Sequence, residues 1–205
     1  MKKATIFIDV QKDFIDKALK NEQAIAAMPK LVEFAKARKD AGDKLYATRD
    51  THEKTVFEDA GTTVEFDEYG RVKDTKKIDG QPVSGYLATL EGKKLPVEHC
   101  IEGTDGWMLD DRLMEVLDGT CTFINKPTFG SFDLAEILAE DGGDFDEITI
   151  CGFCTDICVI SNALILRAKF PNTKITVMKD LCAGVTPETH EAALKTMQMC
   201  QIDVA

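Results

Sequence analysis

The side chains able to do chemistry fall in a few short stretches of this chain. Cys158 follows the apolar run 147–153 and sits in the first turn of a helical stretch that begins at Thr155. A thiol there feels the helix dipole and nearby backbone N–H groups, which favour the thiolate and make Cys158 a candidate nucleophile. Asp9 lies near the end of the apolar run 4–10. A carboxylate ending a buried strand is costly unless paired. It can take the thiol proton and later deliver it to a leaving group. Lys126, after the run 121–125, can hold that carboxylate charged and stabilise developing negative charge. The backbone N–H groups of Cys154 and Cys158 can form an oxyanion hole. The competing reading is that Cys158 is a small, inert buried hydrophobe and Lys126 a solvated surface cation.

Asp50-Thr51-His52 forms a second cluster. Residues two apart in extended chain point the same way, so a carboxylate and an imidazole converge. With His99 they make the two-histidine, one-carboxylate set of many catalytic metal sites, which Glu58 or Glu91 can complete. The alternative is a local turn at Asp50 and His52 with His99 on the surface, since Asp-x-His is a weak motif. Cys151-Gly152-Phe153-Cys154 reads as a redox pair or as half of a zinc site. Against the first, Cys151 falls inside a buried strand; against the second, there is no second Cys-x-x-Cys. His190 lies on the last helix as a structural or solvated residue.

The apolar pattern supplies the elements that must position these groups. Runs at 4–10, 44–49, 121–125, 147–153, 174–178 and 202–204 read as strands. The spacing of Ile25, Met28, Val32 and Ala35, widened by Leu31 and Phe34, gives one helical face with Gly42 as its stop. Helices are also expected over 110–117, 132–140 and 155–170. A last one opens at Thr186 with Pro187 in its first position. This alternation predicts an α/β fold, a parallel sheet with helices on both faces. Ligands then bind beyond the carboxyl ends of the strands, where Asp9, Asp50, Lys126 and Cys154 all fall. Residues 51–106 break the alternation. A small hairpin is expected there, from 62–66 and 71–73 around Glu68-Tyr69-Gly70.

The chain has 205 residues, 36 acidic and 25 basic side chains, a formal charge of −11 and 44% hydrophobic residues. That length fits one domain with a core that needs no disulfide staple. The negative charge argues against nucleic acid and anionic membrane as partners. Seven cysteines, with no signal-peptide pattern near the start, point to free thiols and a cytoplasmic location.

Ile8-Asp9-Val10-Gln11-Lys12-Asp13-Phe14, Thr48-Arg49-Asp50-Thr51-His52, Asn125-Lys126 and Gly152-Phe153-Cys154-Thr155-Asp156-Ile157-Cys158-Val159 together resemble the isochorismatase-like cysteine hydrolases, in that family's order. The resemblance implies a single α/β/α domain over residues 1–205 around a mainly parallel six-stranded sheet. It implies a catalytic triad at Asp9, Lys126 and Cys158, and a non-proline cis peptide before Cys154 that aims its N–H into the oxyanion hole. Asp50, His52 and Pro96-Val97-Glu98-His99-Cys100 are most similar to the nicotinamidases. That likeness implies a zinc, iron or manganese ion, zinc foremost, held by Asp50, His52 and His99. Glu58 is the preferred fourth ligand, because in similar enzymes it closely follows the Asp-x-His pair. Phe14 and Trp107 are expected to sandwich an aromatic substrate ring. The implied activity is hydrolysis of nicotinamide, or a close small aromatic amide, to the acid and ammonia through a thioester, as in NAD salvage. Partners reduce to that small amide, with room for a homo-oligomer. The alternatives are another small amide, a ureido compound or a vinyl ether, or a non-catalytic or redox protein using Cys151 and Cys154. The stretch 54–84 is longer than such a domain needs and reads as an irregular insertion.

Overall fold

Lys3–Ile8, four of whose six residues are apolar, form β1, buried on both faces from Ala4 onward as the central strand of a parallel sheet. The computed structural model describes residues 1–57, 67 and 81–205. One helical turn, α1 (Lys12–Ile15), follows β1, then α2 (Glu22–Asp40), whose first N–H groups are capped by the Asn21 side chain. Gly42, at φ +79°, turns the chain into β2 (Lys44–Asp50). A short antiparallel pair, β3 (Val56–Phe57) and β4 (Pro82–Ser84), precedes α3 (Leu90–Lys94) and α4 (Asp111–Leu117). The alternation then resumes with β5 (Cys121–Lys126), α5 (Phe132–Glu140), β6 (Glu147–Phe153), α6 (Ile160–Lys169), β7 (Lys174–Ala183), α7 (Pro187–Met199) and β8 (Asp203–Val204).

The sheet runs β5-β2-β1-β6-β7-β8, with every neighbouring pair parallel. Strand order therefore reverses at β1: the chain builds outward through β2 and β5, then returns to add β6 on the other side. This is the switch point at which open α/β sheets leave a crevice at the carboxyl ends of their strands. The core beneath it joins Ile6, Ile8, Met28, Leu31, Leu113, Leu138, Ile150 and Val177, all essentially inaccessible. Among the described residues no helix is long and apolar enough to cross a membrane.

The expected elements that fall within the described residues are present, with three differences. The strand predicted over 4–10 stops at Ile8, because Asp9 turns into the left-handed region at φ +48°. The helix expected from Thr155 opens as a wide π turn, Thr155–Val159, before α6 begins. The strand expected to end at Met178 continues to Ala183. Met178, Lys179 and Asp180 bulge out of the β6 ladder, which resumes at Gly152↔Cys182. The hairpin expected around Glu68-Tyr69-Gly70 lies outside the described residues.

Candidate active site

Asp9, Lys126 and Cys158 come from β1, β5 and the turn after β6, and meet because the switch point puts those ends together. Ile8 pairs with Gly152; Asp9 directly follows the first, and Cys154 lies two residues after the second. Lys126 lies two strands away, beside Asp50 in register, and its long side chain crosses the end of β2. Its ammonium stands 2.7 Å from Asp9 Oδ2, 3.5 Å from Cys158 Sγ and 3.5 Å from Asp50 Oδ1. Lys126 also donates to the Thr128 carbonyl at 3.1 Å. The other Asp9 oxygen accepts from the Thr48 hydroxyl at 2.6 Å, and that hydroxyl in turn accepts from the Asp9 N–H. The ion pair is fully buried: Lys126 and Asp9 side chains are 1% and 0% exposed.

Burial governs the electrostatics. It pushes the Asp9 carboxyl above the ordinary range, opposed by the Lys126 charge, and leaves a more basic carboxylate than a surface aspartate. Burial works against the Lys126 ammonium, but the charges of Asp9 and Asp50 and the hydrogen bond to Asp9 outweigh it and keep the lysine protonated. The Cys158 thiol is raised well above its ordinary value, first by burial and then by Asp9. The thiolate-favouring effect expected of a helix N-terminus does not dominate here, because the sulfur is nearly inaccessible and faces a carboxylate. A protonated thiol beside a basic carboxylate is an arrangement for transferring the proton during attack.

The turn carrying Cys158 is held from three sides. The peptide between Phe153 and Cys154 is cis. Gly152, at φ +126°, lets β6 press against β1; a Cβ there would stand 2.0 Å from the Ile8 carbonyl oxygen. Asn162, fully buried, donates to the carbonyls of Cys158 and Phe129 and accepts from the Ser131 N–H, tying the Cys158 turn to the loop after β5.

A cavity of about 1040 Å³ opens onto Cys154 and Cys158. Phe14, Leu19, Phe129 and Ile157 supply apolar wall, and Asp50, His52, Glu91 and His99 line another part. Those four residues offer donor atoms that all lie within 4.8 Å of one another. His52 Nε2 is 3.0 Å from Asp50 Oδ2 and 3.8 Å from Glu91 Oε1; His99 Nε2 is 3.5 and 3.7 Å from the same atoms. A divalent cation with nitrogen and oxygen bonds of about 2.1 Å spaces tetrahedral donors by about 3.4 Å, so the set fits such an ion. Two further observations agree. The Val97 carbonyl lies 2.8 Å from His99 Nδ1, which fixes the proton there and leaves Nε2 free to ligate. Asp50 also turns Oδ2 toward the two histidines and Oδ1 toward the Lys126 ammonium, 3.5 Å away, so one carboxylate serves both clusters. In the cluster as it stands, burial would raise Asp50, but hydrogen bonds from His52 and His99 and the Lys126 charge hold it well below the usual carboxylate range.

Other expected site residues fall as follows. Phe14 lines the cavity and packs edge-on against His99, with ring centroids 5.6 Å apart. Trp107 does not line it: the indole stacks under the Arg49 guanidinium at 4.1 Å and donates to the Thr51 hydroxyl. Glu58 lies outside the described residues, and Glu91 is the carboxylate beside the two histidines. Cys151 is fully buried, its thiol turned toward the Ile6 carbonyl and its acidity suppressed by burial. All seven cysteines are free. His190 bonds the Thr155 hydroxyl at the start of the Cys158 turn.

Several residues that shape the site carried only a faint signal. Thr48 lies two positions before Asp50 on β2, and period-2 alternation aims both the same way. Gln11 is fully buried and clamps Asp50, accepting from its N–H at 2.7 Å and donating to its carbonyl at 2.9 Å. Asp13 accepts from the Cys100 N–H, next to His99. Tyr86 packs on both histidine rings, and no short-range spacing announces that.

A family model described as an isochorismatase domain matches residues 3–205. Among solved structures, the chain is similar to a Bacillus subtilis nicotinamidase/pyrazinamidase, PncA, at 25% identity and TM-score 0.74, covering 100% of both chains. It is similar to a Streptococcus mutans pyrazinamidase/nicotinamidase at 24% identity and TM-score 0.72, again covering 100% of both chains. A Pyrococcus horikoshii pyrazinamidase in complex with zinc matches at 24% identity and TM-score 0.70, covering 100% of this chain and 99% of that one. No curated protein matches the sequence.

Proposed function

Since the chain belongs to the isochorismatase family, we propose that it is a cysteine amidohydrolase that converts nicotinamide, or a close small aromatic carboxamide, to the acid and ammonia. The observation that carries this reading is the buried Lys126 ammonium between the Asp9 carboxylate and the Cys158 sulfur, in a cavity shared with Asp50, His52, Glu91 and His99. Nicotinamidase names among the solved structures support the choice of an amide. The zinc complex of the Pyrococcus enzyme supports the choice of a metal.

In this reading Cys158 Sγ attacks the carboxamide carbon while its proton passes to Asp9. The oxygen that gains charge is met by the backbone N–H groups of Cys154 and Cys158. Lys126 keeps Asp9 ionised before the attack and offsets the negative charge gathering near the sulfur. Asp9 then gives the proton to the amide nitrogen, the C–N bond breaks and ammonia leaves a thioester on Cys158. Water, deprotonated by Asp9, attacks the thioester carbon, and Sγ leaves as the acid is released. The balance is one amide and one water consumed, one carboxylic acid and one ammonia formed. Asp50, His52, His99 and Glu91 would hold a divalent cation, which when bound supplies a fixed positive charge for the substrate's ring nitrogen or a water. Phe14 supplies an apolar face for the ring.

Ammonia release from nicotinamide by the purified protein, with its metal content measured alongside, tests the reading. Alanine at Cys158 should remove turnover and keep the fold; continued release would overturn the nucleophile assignment. Unchanged activity after chelation, with no metal found, would remove the four ligands from that role.

A further inference from the structure

The cavity is far larger than nicotinamide requires. About 1040 Å³ is at the upper end of the range that drug-sized ligands fill, whereas a single pyridine ring with its carboxamide takes only a fraction of it. The excess space has a definite chemistry. Among the described residues ten large hydrophobic side chains are exposed, and four of them, Leu90, Leu95, Phe129 and Val185, line this one cavity. They come from α3, the loop after β5 and the loop after β7, so no single amphipathic element accounts for their clustering. Leu90 is 71% exposed and Val185 60%. On a chain of net charge −11, such a patch running into the cavity marks a binding surface rather than ordinary scatter. It is continuous with Cys158 at one end through Ile157 and Phe129.

We propose that the preferred substrate is a primary carboxamide whose ring carries an apolar extension, an alkyl or aryl group that lies along Leu90, Leu95, Phe129 and Val185 while the carboxamide meets Cys158. This rests on the amidohydrolase reading of the same site and narrows its substrate. Each methylene laid on the patch leaves water, so affinity rises with the length of the extension until the patch is covered.

The test is a ladder of ring-substituted nicotinamides with linear alkyl chains, from none to hexyl, attached at either ring carbon distant from the carboxamide. Calorimetric Kd is measured on the Cys158→Ala protein and ammonia release on the native protein. For one attachment point, Kd should tighten by about two- to fourfold per methylene over the first few. The paired substitutions Leu90→Ser and Val185→Ser should flatten that slope and, at 71% and 60% exposed, leave the urea midpoint unchanged. A flat or weakening series at both positions, with nicotinamide turned over, overturns the extended substrate and leaves the amidohydrolase reading standing. A tightening series without ammonia release from any member upholds the surface and overturns the hydrolase reading. No binding by any member overturns both. A dimer in sedimentation that Leu95→Ser dissolves would make the patch an interface between copies and overturn the proposal.

Discussion

Substituting Gly152→Ala should damage stability and the active site together, by amounts the geometry sets. Gly152 holds φ +126°, and a Cβ there would lie 2.0 Å from the Ile8 carbonyl oxygen and 2.7 Å from its nitrogen, where ordinary contact begins at 3.4 Å. The obstruction is backbone of the central strand, so no side chain can swing aside. β1 and β6 would have to part by about 1.4 Å to restore contact. The left-handed backbone alone costs about 1–3 kcal/mol for a residue with a side chain. Overpacking between two central strands adds about 1–3 kcal/mol. A total near 4 kcal/mol should lower Tm by about 8–16 °C in a chain of this size. The strands that part are those carrying Asp9 and Cys154, and a displacement of about 1 Å at reacting groups costs on the order of 100-fold in rate. Urea unfolding and ammonia release, measured on the same preparation, read both effects. Gly42→Ala is the control: φ is +79° but nothing lies within 4 Å of its Cβ. It should show only the backbone cost and full activity. A Gly152→Ala protein with wild-type Tm and kcat within threefold would refute the account of how β1 and β6 meet.

Replacing Asp9→Asn should cut kcat by at least about 100-fold, the ordinary contribution of a positioned base. If Asp9 is the base proposed above, its ionised form is the active one, and kcat/KM should rise with pH through an acid limb lying above the ordinary aspartate value of 3.8. The folded chain holds the Asp9 proton to higher pH than the unfolded chain does. Its contribution to stability therefore falls as pH climbs from 3.8 through the raised value, a slope that Asp9→Asn should remove. Gln11→Leu strips the Asp50 N–H and carbonyl of buried partners. It should weaken metal affinity by about 10- to 100-fold in competition with a chelator, a loss that unchanged affinity would rule out. Leu31→Ala, on the inaccessible face of α2, should lower stability by about 2–5 kcal/mol and leave KM alone; a smaller loss in the urea midpoint would mean α2 is not packed as described.

Much of this protein is legible in its sequence because the governing forces are local. Runs such as Lys3–Ile8 and Glu147–Phe153 have too few polar groups for any place but a doubly covered strand. The Asn21, Ser131 and Thr186 side chains cap α2, α5 and α7 by bonds spanning two or three residues. The alternation of strands and helices dictates a parallel sheet, and with it the edge at which Asp9, Asp50, Lys126 and Cys154 appear. What spacing could not settle depends on atoms far apart in the chain. The acidity of Cys158 follows from how deeply the sulfur is buried and from Asp9 beside it, not from its place at a helix start. Trp107 looks like a ring-binding residue until Arg49 and Thr51, from β2 and its following turn, are seen to hold it elsewhere. Glu91 meets His52, far earlier in the chain, only because α3 lies over the end of β2. Local pattern decides which segments are strands and helices, since each residue contributes its own propensity and polarity. Distances between charged groups, and the energies that follow from them, exist only once the sheet order has brought β5 and the turn after β6 to either side of β1.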